Sequence, residues 1–151
     1  KRELARELGA DVTIDSMAED LTAALVEAND GKRVDIVLEM TGGLVFDQSL
    51  AALAPFGRLA FFGMASRTPP TPIAPAELMG HSTAVIGFWL AHLTHRPELL
   101  ATAVFDLFDL ISDGSVRPVI GGTYPLAEAA AAHRALLDRS SIGKLVLDPK
   151  A

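Results

Sequence analysis

The apolar positions of this chain fall into runs of two periods, and glycine or proline stands at many of the boundaries. Val34-Asp35-Ile36-Val37-Leu38-Glu39-Met40 is an apolar run of strand length that ends on Thr41-Gly42-Gly43. Arg58-Leu59-Ala60-Phe61-Phe62 is a second such run, set between Gly57 and Gly63. Short apolar runs bounded by turn residues predict buried strands. Between them, residues 45–54 predict a helix that Pro55 closes. Strand, crossover helix and strand make a βαβ unit, whose parallel strands put their C-terminal ends on one edge.

The same reading extends in both directions. Leu4 and Leu8 share a face of a helix over 1–8, stopped by Gly9. The β-branched residues of Asp11-Val12-Thr13-Ile14 predict a short strand over 11–14 that pairs with 34–39. Residues 19–28 predict a helix with Leu21, Leu25 and Val26 inward. Pro69, Pro70, Pro72 and Pro75 predict a stiff loop over 65–76, and 75–79 one helical turn. A third strand is predicted over 82–90. Pro97 and Glu98 open a long helix to Ser112, with Leu100, Val104, Leu107, Phe108 and Ile111 as its buried stripe and Gly114 as its stop. A strand over 117–120, an alanine-rich helix from about Leu126 to Asp138 and a strand over 144–147 complete the chain.

Composition narrows the function. A length of 151 residues argues for one domain. Thirteen basic against nineteen acidic residues give a net charge of −6, which argues against a nucleic-acid partner. There is no cysteine, hence no disulfide and no thiolate metal site. No apolar run approaches the roughly 18 residues of a membrane span. The mixed charges of Lys1 to Leu8 are not those of a signal peptide, and the expected setting is cytoplasmic. The mean hydropathy of +0.31 leaves two readings open: apolar surface that belongs against a partner or a further segment, or a well-packed Ala/Leu-rich fold. The shared edge of parallel strands is where open α/β sheets bind nucleotides. No Gly-x-Gly-x-x-Gly turn precedes the two strands, so the chain reads as a nucleotide-binding domain that starts in its middle.

By residue 63 the order of these pieces resembles a known family. The residues that carry the resemblance are Lys1 with Glu3-Leu4-Ala5-Arg6-Glu7-Leu8-Gly9-Ala10-Asp11, then Val34-Asp35-Ile36-Val37 with Thr41-Gly42-Gly43, and Gly57-Arg58-Leu59 with Phe62-Gly63. Tyr124-Pro125-Leu126 with Ala130 and His133, and the closing Gly143-Lys144-Leu145-Val146-Leu147, extend it over nearly the whole chain. Together they resemble the C-terminal half of a medium-chain dehydrogenase/reductase of the zinc-independent quinone oxidoreductase branch. The resemblance implies an α/β fold: a partial Rossmann-like parallel sheet with flanking helices, then a C-terminal strand-helix-strand that returns to the catalytic domain. On this reading residues 1–114 belong to a cofactor-binding domain and 115–151 to the catalytic domain. The first strands and the glycine-rich turn would precede Lys1.

The resemblance also implies site residues for NADPH, with NADH as the lesser option. Lys1 falls where the family places a lysine near the adenosine 2′-phosphate, and Ser16 where the quinone oxidoreductases often carry a tyrosine. Thr41 and Gly42 would lie beneath the cofactor, where glycine allows close approach. Phe62, Gly63, Met64 and Ser66 would face the nicotinamide-ribose half. Phe88, Trp89 and Leu90 would line the nicotinamide end and the substrate cleft. Arg139 matches an arginine that reaches the cofactor, and Lys144 follows the closing glycine. For each residue there is a plainer reading: surface charge for Lys1, Arg139 and Lys144, a cap for Ser16, a turn for Thr41 and Gly42, core packing for Phe62. His92 and His95 form His-x-x-His without a third ligand, so no metal site is expected.

The implied reaction is hydride transfer from NADPH to a quinone or an α,β-unsaturated carbonyl. The rivals are a fragment of a zinc-dependent alcohol dehydrogenase and a non-catalytic dimerising fragment that binds no cofactor alone. Without the glycine-rich turn, the 151 residues are expected to bind NADPH weakly or not at all, and micromolar binding in calorimetric titration would contradict this. In the family the third strand often pairs with its twofold mate, and an exposed apolar edge strand is a pairing template in any case. A homodimer through residues 83–89 is therefore predicted. Light scattering should return the mass of a dimer, and a monomeric mass counts against the pairing.

Overall fold

The computed structural model describes residues 1–151 as two compact units, Lys1–His95 and Arg96–Ala151. The first unit carries the predicted βαβ core. Strand β1 (Val34–Glu39) leads into helix α3 (Gly43–Ala51), which returns to strand β2 (Leu53–Phe61), and strand β3 (Ala84–Gly87) follows. All pairings are parallel, in the order β1-β2-β3. Helices α1 (Arg2–Glu7) and α2 (Leu21–Ala28) precede the sheet, and α4 (Pro75–His81) precedes β3.

One face of this sheet is closed. Val37, Leu59, Phe61 and Val85 point toward α3, where Phe46, Leu53 and Leu59 form the buried cluster. The rings of Phe46 and Phe61 meet edge to face at 5.0 Å, a favoured aromatic arrangement. The side chain of Asp20 caps α2 by accepting from the Ala23 N–H at 2.8 Å. Gln48 ties α2 to α3, its side-chain oxygen accepting from the Leu21 N–H and its carbonyl from the Thr22 hydroxyl, both at 2.8 Å. Asp47 of α3 pins the proline-rich loop, accepting from the Thr71 N–H at 3.0 Å and the Thr71 hydroxyl at 2.7 Å. The other face of the sheet is open: Ile36 is 71% exposed, Leu38 73% and Ile86 51%.

Several boundaries differ from the expectation. Residues 11–14 form no strand, so the predicted pairing with 34–39 is absent. A strand needs a partner ladder, and residues 11–14 have none in either sheet. Helix α3 ends at Ala51, and Pro55 falls inside β2, where a register shift between Val34 and Ile36 removes the need for its N–H. The third strand shrinks to 84–87. Ser82, in the left-handed region, delays its start, and a 3-10 helix (Leu90–His95) follows its end.

The second unit contains α5 (Pro97–Ser112), a parallel pair β4 (Ile120–Pro125) and β5 (Lys144–Asp148), and α6 (Ala129–Leu137) between them. The strand predicted at 117–120 lies at 120–125 instead, because Pro118 has no N–H to give a ladder. A 3-10 turn over Leu126–Glu128 delays the alanine-rich helix to Ala129. The stripe predicted as buried on α5 is not: Val104, Leu107 and Phe108 are exposed, and Leu100 and Ile111 half-buried. No element of the second unit packs extensively against that face. An Asx turn at Asp113 ends α5, and hydrogen bonds from Ser115 hold the Asp113 carboxyl below the ordinary carboxylate range.

At the C-terminal edge of the first sheet the backbones approach so closely that side chains are excluded. Gly42 has φ +78°, and a Cβ there would stand 2.9 Å from both Met64 Cγ and the Thr68 carbonyl oxygen. A Cβ on Gly63 would stand 2.9 Å from the Met40 carbonyl oxygen. Gly42→Ala should therefore cost on the order of 1–3 kcal/mol through backbone strain. Leu59→Ala should cost about 2–5 kcal/mol through loss of a buried side chain and the cavity left behind. Urea unfolding of the two variants against the parent checks both values.

Candidate functional site

The three parallel strands of the first unit end at one level. Glu39 pairs with Phe61, and Phe61 with Gly87, so the residues that follow each strand emerge side by side. Hydrogen bonds continue past the strands. The Phe62 N–H donates to the Glu39 carbonyl at 3.0 Å, Ala65 to Met40 at 2.9 Å, Ser66 to Thr41 at 2.8 Å and Phe88 to Phe61 at 2.9 Å. These bonds make the strand ends one continuous floor rather than separate loops.

A cavity of about 400 Å³ opens on this floor, lined by Phe61, Phe62, Gly63, Met64, Gly87, Phe88, Trp89 and His92. Its size falls in the range of small-molecule sites, about 300–1,000 Å³. The wall is largely aromatic and apolar, with His92 as its titratable side chain. Five of the residues singled out in the sequence therefore share one cavity: Phe62, Gly63, Met64, Phe88 and Trp89. Thr41, Gly42 and Ser66 adjoin it through Met64. The Met64 side chain lies against Gly42, and the Ser66 hydroxyl oxygen accepts from the Thr68 N–H at 3.1 Å. Leu90 opens the 3-10 helix and is not among the lining residues.

The remaining candidates are not among the lining residues of this cavity. Lys1 is the N-cap of α1, and Ser16 is exposed in the turn that the Ala18 N–H closes onto the Asp15 carbonyl. Arg139 and Lys144 belong to the second unit. Arg139 has φ +52° just after α6, and the Lys144 N–H donates to the Val119 carbonyl at 2.8 Å.

Two residues of the site were not singled out as such in the sequence. His92 figured only as half of a His-x-x-His pair. No group of three or more His, Cys, Asp or Glu residues comes together to hold a metal ion, so this chain's side chains do not fit a zinc site. Glu39 was counted as one more residue of an apolar strand. It is 4% exposed, and its carboxylate accepts from the Thr41 N–H at 2.6 Å and from the Gly42 N–H at 3.1 and 3.2 Å. The available signal was an acid at an inward position of a buried strand, two residues before a strand-end turn.

A second cavity, of about 380 Å³, is lined by residues that include Arg33, Leu53, Glu77, His81 and Thr83. Arg33 and Thr83 immediately precede β1 and β3, and Leu53 opens β2, so this cavity lies at the N-terminal edge of the sheet. Open α/β sheets bind their ligands at the opposite edge, which favours the cavity at Phe62 and Trp89. No helix is long and apolar enough to cross a membrane.

Known proteins match this arrangement. Residues 8–147 match the family described as zinc-binding dehydrogenase. The chain is 37% identical to a quinone oxidoreductase of Pseudomonas aeruginosa, over 99% of its own length and 46% of that protein. It is 34% identical to a 2-haloacrylate reductase of a Burkholderia species, over 100% of its own length and 46% of the relative. A mycobacterial protein solved in complex with NADPH superposes with a TM-score of 0.84 at 35% identity, over 97% of this chain and 46% of the other. The chain thus spans less than half the length of these relatives. With parallel strands whose glycine-rich ends meet at one edge, and a match that runs from residue 8 to residue 147, the chain belongs to the medium-chain dehydrogenase/reductase superfamily, in its quinone-oxidoreductase-like branch, and corresponds to the C-terminal part of that family.

Proposed function

We propose that this chain is the cofactor-binding portion of an oxidoreductase that transfers hydride from NADPH to a quinone or an α,β-unsaturated carbonyl. The observation that carries the reading is the apolar cavity at the strand ends, walled by Phe62, Gly63, Met64, Phe88 and Trp89. A flat, uncharged nicotinamide suits such a wall, and the glycine floor lets a ring lie close to backbone. The names of the relatives, a quinone oxidoreductase and a 2-haloacrylate reductase, support an electron-poor carbonyl or alkene acceptor. The NADPH-bound mycobacterial structure supports the phosphorylated cofactor over NADH.

When bound, the dinucleotide supplies the hydride, and the protein supplies position and dryness. Phe62, Phe88 and Trp89 would hold the ring plane and keep water from its reactive face. Met64, packed on Gly42, would fill the space beside the ribose. Hydride addition leaves an anion on the acceptor oxygen, and His92 is the side chain in this wall able to give it a proton. Lys1, Ser16, Arg139 and Lys144 remain the proposed contacts for the phosphate-bearing parts. Residues 1–114 serve the cofactor on this reading, and 115–151 the catalytic domain. The dimer through β3, which forms an edge of the three-stranded sheet, belongs to the same proposal.

Trp89 is the chain's single tryptophan, so it reports on the cavity without labelling. Titration with NADPH should quench its fluorescence with an affinity weaker than micromolar, and Gly63→Val should abolish the response. Unchanged Trp89 emission up to millimolar NADPH would count against the reading.

A further inference from the structure

Glu39 is a buried acid, at the point where β1 gives way to the turn into α3. Taking a carboxylate out of water is costly unless it is paired or fully hydrogen-bonded. No cation is recorded against Glu39, and the Arg2–Asp15 ion pair at 3.8 Å lies elsewhere. The compensation for Glu39 comes from peptide N–H groups: Thr41 at 2.6 Å and Gly42 at 3.1 and 3.2 Å. Gly42 is the N-cap of α3, a helix of 9 residues. The amides at a helix N-terminus carry partial positive charge and are the donors that hold phosphate in many nucleotide folds. Here Glu39 takes the N–H groups of the N-cap residue Gly42 and of Thr41 before it, and so sets a carboxylate charge beside that N-terminus.

We infer that Glu39 is a built-in anion: it locks the Thr41–Gly42 turn, and its charge beside the start of α3 repels phosphate from it, so that an uncharged part of a ligand lies over this turn. The statement about the ligand rests on the dinucleotide reading and deepens it, since it assigns the uncharged nicotinamide end to this floor and sends the phosphates elsewhere. Glu39 is thus a positioning residue. It fixes the Thr41 carbonyl that accepts from the Ser66 N–H at 2.8 Å, and it holds Gly42 under Met64. Its carboxylate is not part of the cavity lining, which Glu39 meets through its backbone at Phe62.

Amide NMR spectra of the chain test this. Inorganic phosphate should leave the Thr41 and Gly42 resonances of the parent chain in place. Glu39→Gln should move both amide proton resonances upfield, because hydrogen bonds to a charged acceptor are the stronger kind. In Glu39→Ala, formate should raise the Tm above that in an equal concentration of chloride, and in the parent it should not. A saturable phosphate shift at Thr41 and Gly42 of the parent overturns the inference, and so does Glu39→Gln with both resonances unmoved. Should either variant fail to fold, the phosphate titration of the parent decides alone. NADPH added to the same sample is read at Phe62, Gly63, Met64 and Phe88. Silence there overturns the dinucleotide reading and leaves the role of Glu39 in the turn intact.

Discussion

The parallel register of three short strands is the constraint on which the site depends. Because Glu39, Phe61 and Gly87 stand level, everything that follows them arrives at one edge. A slip of one residue would send Leu59 to the open face and Arg58 to the core. Burial of Leu59 at 0% exposure makes that slip expensive, so the core on one side of the sheet sets the alignment of the cavity at its end. Packing and function are joined here by the backbone itself, with no long-range network required.

The floor beyond the strands adds a second level of order. Four backbone hydrogen bonds join the strand ends, and the glycines at 42 and 63 let the chains approach to distances at which a methyl group would collide. Glycine usually loosens a segment. Here the loss is offset by the closeness it permits, and the buried carboxylate of Glu39 holds the tightest turn in place. On the proposed reading such rigidity serves hydride transfer, in which the reacting carbons must be held at contact distance and water kept out.

Much of this was legible in the sequence, and the failures have physical causes. The runs at 34–40 and 58–62 are apolar enough to specify buried strands wherever they pack, and their glycine ends announced the floor. Phe62, Gly63, Met64, Phe88 and Trp89 were singled out through the family resemblance, and they share a cavity because parallel strands bring their ends to one edge. The segment at 11–14 carries strand-forming side chains, but a strand needs a partner ladder, which composition does not reveal. Glu39 was overlooked because its value lies in folding back on the backbone two and three residues ahead, a geometry invisible to hydrophobic patterning. The stripe on α5 was read correctly as amphipathic and wrongly as buried, since periodicity specifies a face and not its cover.

That last distinction settles what the positive mean hydropathy of the chain means. A packed Ala/Leu-rich fold would account for it by burial, yet only Leu21, Phe46, Ala52, Leu53, Leu59 and Ala132 are fully buried among the apolar residues. The excess apolar residues stand on the open sheet face at Ile36, Leu38 and Ile86, and on the stripe of α5 at Val104, Leu107 and Phe108. Parallel sheets are ordinarily covered on both sides. The positive hydropathy thus resides largely on exposed apolar faces, and the cavity at the strand ends stands on a sheet that is itself half-covered.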